Sequence, residues 1–369
     1  MSALSKKQRK HNRLLRLIRR QAPVSRMELA RQLPWSTSSV CGLVQELIDR
    51  GLVLEQLEGG ERRGREPVPL RPNPVFARYM GFDLEAMHMR LVCVDFAGNV
   101  CWKQQRGMDA VEMGRDVVKQ SLAFIDEGLA AAATEDGGPV VGIGVAAPGI
   151  CDVRHGAILH YDMLPAVRNL PLRDLIGQHT GLPCVLDNNI RAYTLAEWLL
   201  GAGQHLSNFI CFGVRSGIGA GIVLDGRLVQ GSHGFAGEAG HSPVFGISSV
   251  DKWRTLEATV SEKALGVNTT DGGIQRLSDS RAKRAGEFLG GYLAGLATLV
   301  DPQAIILAGA LVQSESPLWG PLQAAFRQHV LPDIVDKVPL LPSRVGPFAA
   351  AIGITQSCFE SAYPSAGQD

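Results

Sequence analysis

Two short stretches of the sequence carry polar side chains suited to holding a small molecule. One runs from Val185 to Glu197 and contains the pair Asn188 and Asn189, and the other is Gly237-Glu-Ala-Gly-His241. Carboxylate and amide groups each form at least two hydrogen bonds, so they suit the neighbouring hydroxyls of a sugar. An amide cannot take up and hold a proton near neutral pH, so Asn189 cannot serve as a general base. These stretches predict a site that binds a sugar.

A glycine-rich turn, Arg215-Ser-Gly-Ile-Gly-Ala-Gly221, is a second candidate site. The backbone amides of such a turn can face an anion, although a tight hairpin has the same pattern. Two roles are open for Arg215, which is followed by Ser216. In one, the guanidinium clamps the phosphate of a sugar phosphate; in the other, it forms an ion pair on the surface.

These stretches resemble the corresponding parts of the ROK family, which comprises repressors, open reading frames and sugar kinases. In its kinases the segment matching residues 187–191 reads Glu-Asn-Asp-Ala-Asn, and the Asp activates a sugar hydroxyl; Asn189 occupies that position here. The resemblance covers residues 78–361 and implies a two-lobed, actin-like (ASKHA) α/β fold. A helix N-cap role for the first asparagine and surface ion pairs for the glutamates remain open. The resemblance implies sugar contacts for Asn188, Asn189, Glu238, His241 and Glu257.

The nucleotide-binding turn of the ROK kinases, Asp-x-Gly-Gly-Thr, is only partly kept. Asp83 is present, but Leu84, Glu85 and Ala86 follow it where the kinases have a glycine-rich sequence. Side chains at these positions keep the backbone away from ATP phosphates, and the carboxylate of Glu85 repels them. We therefore expect no bound ATP and no catalytic residue.

The family's structural zinc is held by a histidine and three cysteines, and this chain lacks that donor set. Between His241 and Glu257 there is no cysteine and no second histidine, so we predict that no metal is bound. Packing of Phe245, Ile247 and Trp253 would have to hold the loop instead. Nearby, Met163-Leu-Pro-Ala-Val167 replaces the family's Asn-Leu-Pro-Gly-Trp, which removes a polar contact and an aromatic floor.

The N-terminal 72 residues differ in charge from the rest of the chain. They contain 15 Lys or Arg against 7 Asp or Glu, a surplus of eight positive charges in a protein of net charge +1. Apolar periodicity predicts a helix from Lys7 to Arg20 with its arginines outward, and Ser25 with Glu28 has the spacing of a capping box. A third helix begins at Ser36, and two short strands flank a basic wing. This order is that of a winged helix-turn-helix.

A DNA interface on this head would use the outward start of the third helix and the wing. A module for protein interaction, with a solvated basic face, is the alternative. Polar side chains of the helix reach base edges in the major groove, and arginines suit a narrow minor groove. The expected DNA-binding residues are Ser36, Thr37, Ser38, Cys41, Gln45, Arg62, Arg63 and Arg65.

Residues after the head alternate between apolar strands, glycine turns and helices, which predicts an α/β fold. The expected divisions are the head at 1–72, a linker at 73–77, a first lobe at 78–186, a second lobe at 187–345, and a C-terminal helix with a tail at 346–369 that returns to the first lobe. No apolar run reaches the roughly 18 residues of a membrane span, and no targeting segment begins the chain. Seven scattered cysteines favour free thiols in the cytoplasm.

These features predict a transcriptional regulator, most simply a repressor, whose affinity for a double-stranded operator changes when a sugar or sugar phosphate binds between the lobes. A symmetric homodimer or homotetramer would match a palindromic operator. Two alternatives stay open: a constitutive or protein-controlled regulator with a vestigial pocket, and an active sugar kinase with a regulatory head.

Overall fold

The computed structural model describes residues 4–56, 68–85, 87–108, 110–244, 253–267 and 277–364. In its described residues, the head contains three helices and a three-stranded sheet of order β1-β3-β2. All seven cysteines of the chain are free thiols. The elements of the head are α1 (Lys6–Gln21), β1 (Val24–Ser25), α2 (Arg26–Gln32), α3 (Thr37–Asp49), β2 (Val53–Glu55) and β3 (Pro69–Pro72).

Side-chain caps fix where the second and third helices begin. The Ser25 hydroxyl accepts from the backbone of Glu28, and the Glu28 carboxylate accepts from the backbone of Ser25, so the predicted capping box is confirmed. Ser36 caps α3 by accepting from the amide of Ser39, as the predicted start requires. Each cap satisfies amides that have no partner inside the helix.

The first lobe is built on a five-stranded sheet of order β11-β7-β4-β5-β6, in which β11, β7 and β4 are parallel. A small sheet of order β10-β9-β8 lies beyond the end of β7. The elements are β4 (Arg78–Leu84), β5 (His88–Asp95), β6 (Val100–Gly107), α4 (Ala110–Thr134), β7 (Val140–Ala147), β8 (Ile150–Asp152), β9 (Ala157–His160), β10 (Arg168–Leu170), α5 (Leu172–Thr180) and β11 (Cys184–Asn188).

The second lobe carries another five-stranded sheet, of order β14-β13-β12-β17-β18. Helices α9 and α10 cover it, and α6 and α11 connect it to the first lobe. The elements are α6 (Asn189–Leu200), β12 (Phe209–Val214), β13 (Ile218–Leu224), β14 (Arg227–Leu228), β15 (Pro243–Val244), β16 (Arg254–Thr255), α7 (Glu257–Val260), α8 (Glu262–Leu265), α9 (Asp279–Val300), β17 (Ala304–Ala308), α10 (Trp319–His329), β18 (Leu340–Pro342) and α11 (Ala349–Ala362). Within the described ranges, no helix combines the length and apolar character needed to cross a lipid bilayer.

Helices α6 and α11 pack against each other with almost no space between their backbones. A Cβ atom on Gly353 would lie 1.7 Å from the carbonyl oxygen of Ala192, so only glycine fits this crossing. At the other end of α6, the buried Glu197 carboxylate accepts from the backbone amides of Arg344 and Val345 at 2.8 and 2.9 Å. The helix is therefore fixed to the segment that leads into α11.

The head docks on the body through three arginines of α1. Arg16 pairs with Glu360 at 2.7 Å, and the guanidiniums of Arg19 and Arg20 lie 4.0 and 4.5 Å from the ring centroids of Phe359 and Trp198. Burial lowers the pKa of Arg19 to about 10, so it stays charged at neutral pH. The prediction that the arginines of α1 point outward is wrong for Arg16 and Arg19, whereas Arg20 is exposed although it contacts Trp198.

The reason lies in the partners that the body offers. Helix α11 presents aromatic faces and a carboxylate to α1, and these stabilise guanidiniums better than water alone. The predicted linker is also tied down, because the backbone N–H of Asn73 donates to the carbonyl of Leu52 at 2.9 Å. Ala77 and Tyr79 are buried in a core that the head and the body share.

The α6–α11 crossing generates a stability prediction. Gly353→Ala should lower the free energy of unfolding by about 1–3 kcal/mol, the usual cost of overpacking, because a backbone carbonyl blocks the new methyl group. Gly295→Ala, at an exposed position of α9, is the control, since a Cβ atom there meets no atom within 4 Å. That variant should gain up to about 1 kcal/mol from helix propensity. Urea denaturation measures the free energy of unfolding of both variants. A Gly353→Ala protein as stable as the Gly295→Ala control would contradict the close contact between α6 and α11.

Candidate functional site

The predicted ligand-binding residues meet in one cleft between the two sheets. It lies where β11 passes into α6, and it is closed on the far side by the glycine turn between β12 and β13. All seven predicted residues line it: Asn188, Asn189, Arg215, Ser216, Glu238, His241 and Glu257. Sequence reasoning missed the lining residues at the end of β9 and just after it, namely His160, Tyr161 and Asp162.

The two asparagines at the start of α6 have different roles. The Asn188 side chain accepts from the amide of Ile190 and donates to the carbonyl of Gly149, both at 2.9 Å, so the N-cap alternative applies to it. The Asn189 side chain forms no hydrogen bond with any residue that the structure describes, and it faces the cleft. Asn189 therefore keeps a donor and an acceptor for a ligand.

Glu238 is a desolvated carboxyl at the edge of the cleft. Burial raises its pKa, and the neighbouring Glu257 carboxylate raises it further, while Arg191 and His241 act in the opposite direction. Its carboxyl oxygens make no hydrogen bond within the described part of the chain. A hydroxyl or N–H donor from a ligand would satisfy them.

A buried ion pair beneath the cleft was not predicted. Arg191 donates to Asp187 at 2.6 Å, one helical turn earlier, and its second nitrogen donates to the carbonyl of Gly234 at 2.7 Å. Gly234 belongs to the loop that leads to Glu238, so Arg191 holds that loop against α6. The sequence signal that could have revealed this ion pair is an acidic and a basic residue four positions apart in a largely apolar stretch.

Glu257 fixes the glycine turn from below. Its carboxylate accepts from the backbone amide of Ile218 at 3.0 Å. A Cβ atom on Gly240 would lie 2.9 Å from the same carboxylate, so the chain must lack a side chain there. The Glu257 carboxylate, which is predicted to contact the sugar, therefore already uses part of its hydrogen-bonding capacity within the protein.

Arg215 forms an ion pair with Glu85, which reaches across the cleft from the loop after β4. The structure contains an ion pair, but it lies mostly buried in the cleft and not on the surface as expected. Glu85 also accepts from Arg90 at 2.5 Å, and Arg90 lies 3.3 Å from the buried Asp83. Burial raises the pKa of Asp83, and the two guanidiniums counteract it. Four charges therefore compensate one another between the lobes.

The loop after Glu238 is held by polar contacts. The Ser242 and Tyr292 hydroxyls lie 2.7 Å apart, and the amide of Leu256 donates to the carbonyl of Ser242 at 2.9 Å. Trp253 lies immediately before β16 and is 68% exposed, and the packing of this loop by Trp253 stays a prediction. Phe245 and Ile247 lie outside the described residues. Within the described ranges, no three His, Cys, Asp or Glu side chains are arranged for a metal. The sequence between His241 and Glu257 lacks the cysteines of the family's zinc site, and the absence of a bound metal stays a prediction.

The predicted DNA-binding residues on α3 lie at its start. Ser36, Thr37 and Ser38 are exposed in the first turn, and Cys41 is half-buried. Gln45 is exposed, but its amide already accepts from Arg26 at 3.1 Å and donates to Asp49 at 2.9 Å. The three wing arginines, Arg62, Arg63 and Arg65, lie outside the described residues.

Two cations next to the start of α3 were not singled out from the sequence. Lys10 and Arg13 of α1 lie 5.2 and 5.8 Å from the ring centroid of Trp35, which immediately precedes the cap of α3. Their positive charge therefore adds to the exposed first turn of α3. The apolar periodicity of α1 predicts that Lys10 and Arg13 face outward, but it does not indicate which residue they contact.

Comparisons with known proteins agree with this geometry. The xylose repressor of Caldicellulosiruptor bescii is 30% identical over 247 residues, 66% of this chain and 61% of that protein. The xylose repressor of Bacillus subtilis is 24% identical over 362 residues, 93% of this chain and 92% of that one. The chain thus spans about six tenths of the first repressor and nearly all of the second.

A solved structure extends the similarity to the whole fold. The crystal structure of a ROK family transcriptional regulator, described as a homolog of the Escherichia coli Mlc protein, has a TM-score of 0.78 and 26% identity, covering 97% of this chain and 98% of that chain. The family model described as ROK matches residues 79–357, which is most of the sequence. The chain belongs to the ROK family.

Proposed function

We propose that this protein is a DNA-binding transcriptional repressor of the cytoplasm that releases its operator when a sugar binds in the cleft. The observation that carries the proposal is a continuous set of contacts from the cleft to the head. Helix α6 begins at Asn189 in the cleft, and its Trp198 lies under Arg20 of α1. Nine residues separate the two ends, about 13 Å of helix.

The head supports DNA binding by its charge and its exposed surface. The first turn of α3 presents Thr37 and Ser38 to solvent, and the basic surplus of the first 72 residues favours a polyanion. Gln45 would have to exchange its bonds with Arg26 and Asp49 before it could read a base. The operator half-sites would be matched by two copies of the chain in a symmetric homodimer or homotetramer.

The cleft supports binding without catalysis. Asn189 cannot remove a proton from a sugar hydroxyl, and the ion pair of Glu85 with Arg215 closes the side on which ROK kinases bind nucleotide. The free amide of Asn189 and the unbonded carboxyl of Glu238 favour a pocket that still takes a ligand. They argue against the constitutive regulator with a vestigial pocket.

Coupling between the two sites requires that the sugar bind one arrangement of the lobes more tightly than the other. Closing the cleft would move α6 with α11, because the Gly353 crossing leaves no room for the two helices to slide independently. Both helices contact α1, so the position of the head would change with them. A change in the distance or angle between two heads weakens binding to a palindromic site.

A titration of the protein on its own upstream DNA, repeated with a panel of monosaccharides, tests the proposal. DNA binding that one sugar weakens is the expected result. Tight DNA binding that no sugar changes would favour the constitutive or protein-controlled alternative. ATP-dependent sugar turnover would instead identify a kinase.

Ser38→Glu should abolish most DNA binding without unfolding the head. The new carboxylate faces the phosphates, while its place in the first turn of a helix is favourable for stability. Ser280→Glu is a matched control: both serines are the second residue of their helix, and their hydroxyls lie 3.2 and 3.5 Å from the capping serine. We expect at least a tenfold rise in Kd for Ser38→Glu by fluorescence anisotropy and none for the control. Equal DNA affinities for the two variants would refute the interface.

Glu238→Gln should stabilise the protein at neutral pH and weaken its response to sugar. The pKa of Glu238 is raised in the folded state, so folding favours the protonated form. The free energy of unfolding therefore falls as the pH rises above the ordinary carboxyl pKa, and the amide removes this loss. The melting temperatures of the variant and the wild type should differ at pH 7.5 and converge below about pH 4.

Exposed Glu135 provides the control, and Glu135→Gln should leave the melting temperature unchanged across this range. A Glu238→Gln protein that is less stable than the wild type at pH 7.5 would mean that the carboxylate is satisfied within the protein. Its assignment as a ligand-binding group would then be lost.

A further inference from the structure

We propose that the cleft takes an uncharged sugar and rejects phosphorylated or carboxylated ones, and that Glu85 is the residue that sets this specificity. The inference rests on the proposed function, because it names the ligand class of the same cleft. It narrows the two ligand classes that the sequence leaves open, a sugar and a sugar phosphate.

Two donors at the glycine turn that could meet an incoming anion are already bonded to carboxylates of the protein. The Arg215 guanidinium is paired with Glu85 from the opposite lobe. The backbone amide of Ile218 donates to Glu257 at 3.0 Å. A phosphate that used either donor would have to displace an internal carboxylate, and at Arg215 the Glu85 carboxylate already occupies the place of the anion.

The net charge of the cleft also opposes an anion. Four carboxylates line it against one guanidinium, which is itself neutralised, and the two lining histidines do not reverse that sign. Burial is the main cause of the raised pKa of Glu238, and the Glu257 carboxylate raises it further, so the cleft disfavours negative charge at this position as well. Hydroxyl groups donate to carboxylates without adding charge, so an uncharged sugar meets no such opposition. The lining carboxylates are Glu85, Asp162, Glu238 and Glu257.

Glu85 is the determining residue because it is fixed in place. Its carboxylate is held by Arg90 at 2.5 Å as well as by Arg215, and Arg90 is held in turn by Gln105 at 2.9 Å. The side chain is buried, so it does not swing into solvent to make room. Removing its charge would leave Arg215 as an unpaired cation on a turn of glycines, which is the composition of an anion site.

Calorimetric titration with inorganic phosphate, in a buffer without phosphate, tests this assignment. The proteins are the wild type, Glu85→Gln, the double variant Glu85→Gln with Arg215→Met, and Glu127→Gln as control. Glu127 pairs with Arg106 on the surface of the same lobe, so its substitution removes the same charge from an ion pair outside the cleft. Circular dichroism confirms that each variant is folded.

Glu85→Gln should bind phosphate at least tenfold more tightly than the wild type, and the double variant should lose that gain. The control should match the wild type. Phosphate bound to the basic head is common to all four proteins and cancels in the comparison. No gain in Glu85→Gln, or a gain that persists without Arg215, would overturn the assignment.

DNA binding by the same preparations keeps this inference separate from the proposed function. If the wild type binds no DNA, the proposed repressor function is refuted, and the phosphate titration still decides which class of ligand the cleft binds. If the wild type binds DNA but the Glu85→Gln protein gains no phosphate site, only the proposed role of Glu85 is refuted.

Discussion

The close crossing of α6 and α11 is the contact on which the site and its connection to the head both depend. The carbonyl of Ala192 lies where a side chain on Gly353 would be, so the two helices move as one unit. The N-terminus of α6 forms the floor of the cleft, and Trp198 near its end supports Arg20 of the head. A ligand that repositioned the start of this helix would act on the head through packed atoms, without a flexible tether between them.

Two internal ion pairs shape the cleft. The Glu85–Arg215 pair joins the lobes beside the glycine turn, and the Asp187–Arg191 pair holds the loop of Glu238. Buried ion pairs add little net stability, because desolvation cancels most of the attraction, but breaking one leaves an unpaired charge at high cost. Their effect here is to fix geometry and to decide which ligands are compatible with the cleft.

Local features of the sequence predicted the local structure well. The capping box at Ser25, the cap at Ser36 and the helix after Asn188 depend on residues only a few positions apart, and all are present. The lining of the cleft followed from motif resemblance, which identified residues far apart in sequence that meet in space. Helical periodicity and motif spacing were therefore sufficient for the elements and for most of the candidate site.

The partners of the arginines could not be predicted in the same way. Arg215 meets a carboxylate 130 positions earlier, and Arg19 stacks on an aromatic ring from the opposite end of the chain. No periodicity encodes such pairs, since they depend on how complete lobes pack. His160 and Asp162 were missed for a different reason: they directly precede the Met163–Val167 segment, and the resemblance drew attention to that segment and not to the residues before it.

Hydrogen exchange of the full-length protein, with and without its own upstream DNA, tests the coupling between head and cleft most directly. Coupling is reciprocal, so DNA bound to the head must act on α6 as a ligand in the cleft acts on the head. The account predicts that DNA changes amide exchange in residues 189–200 and in the glycine turn at 215–221, as well as in the head. A change confined to the head would contradict it.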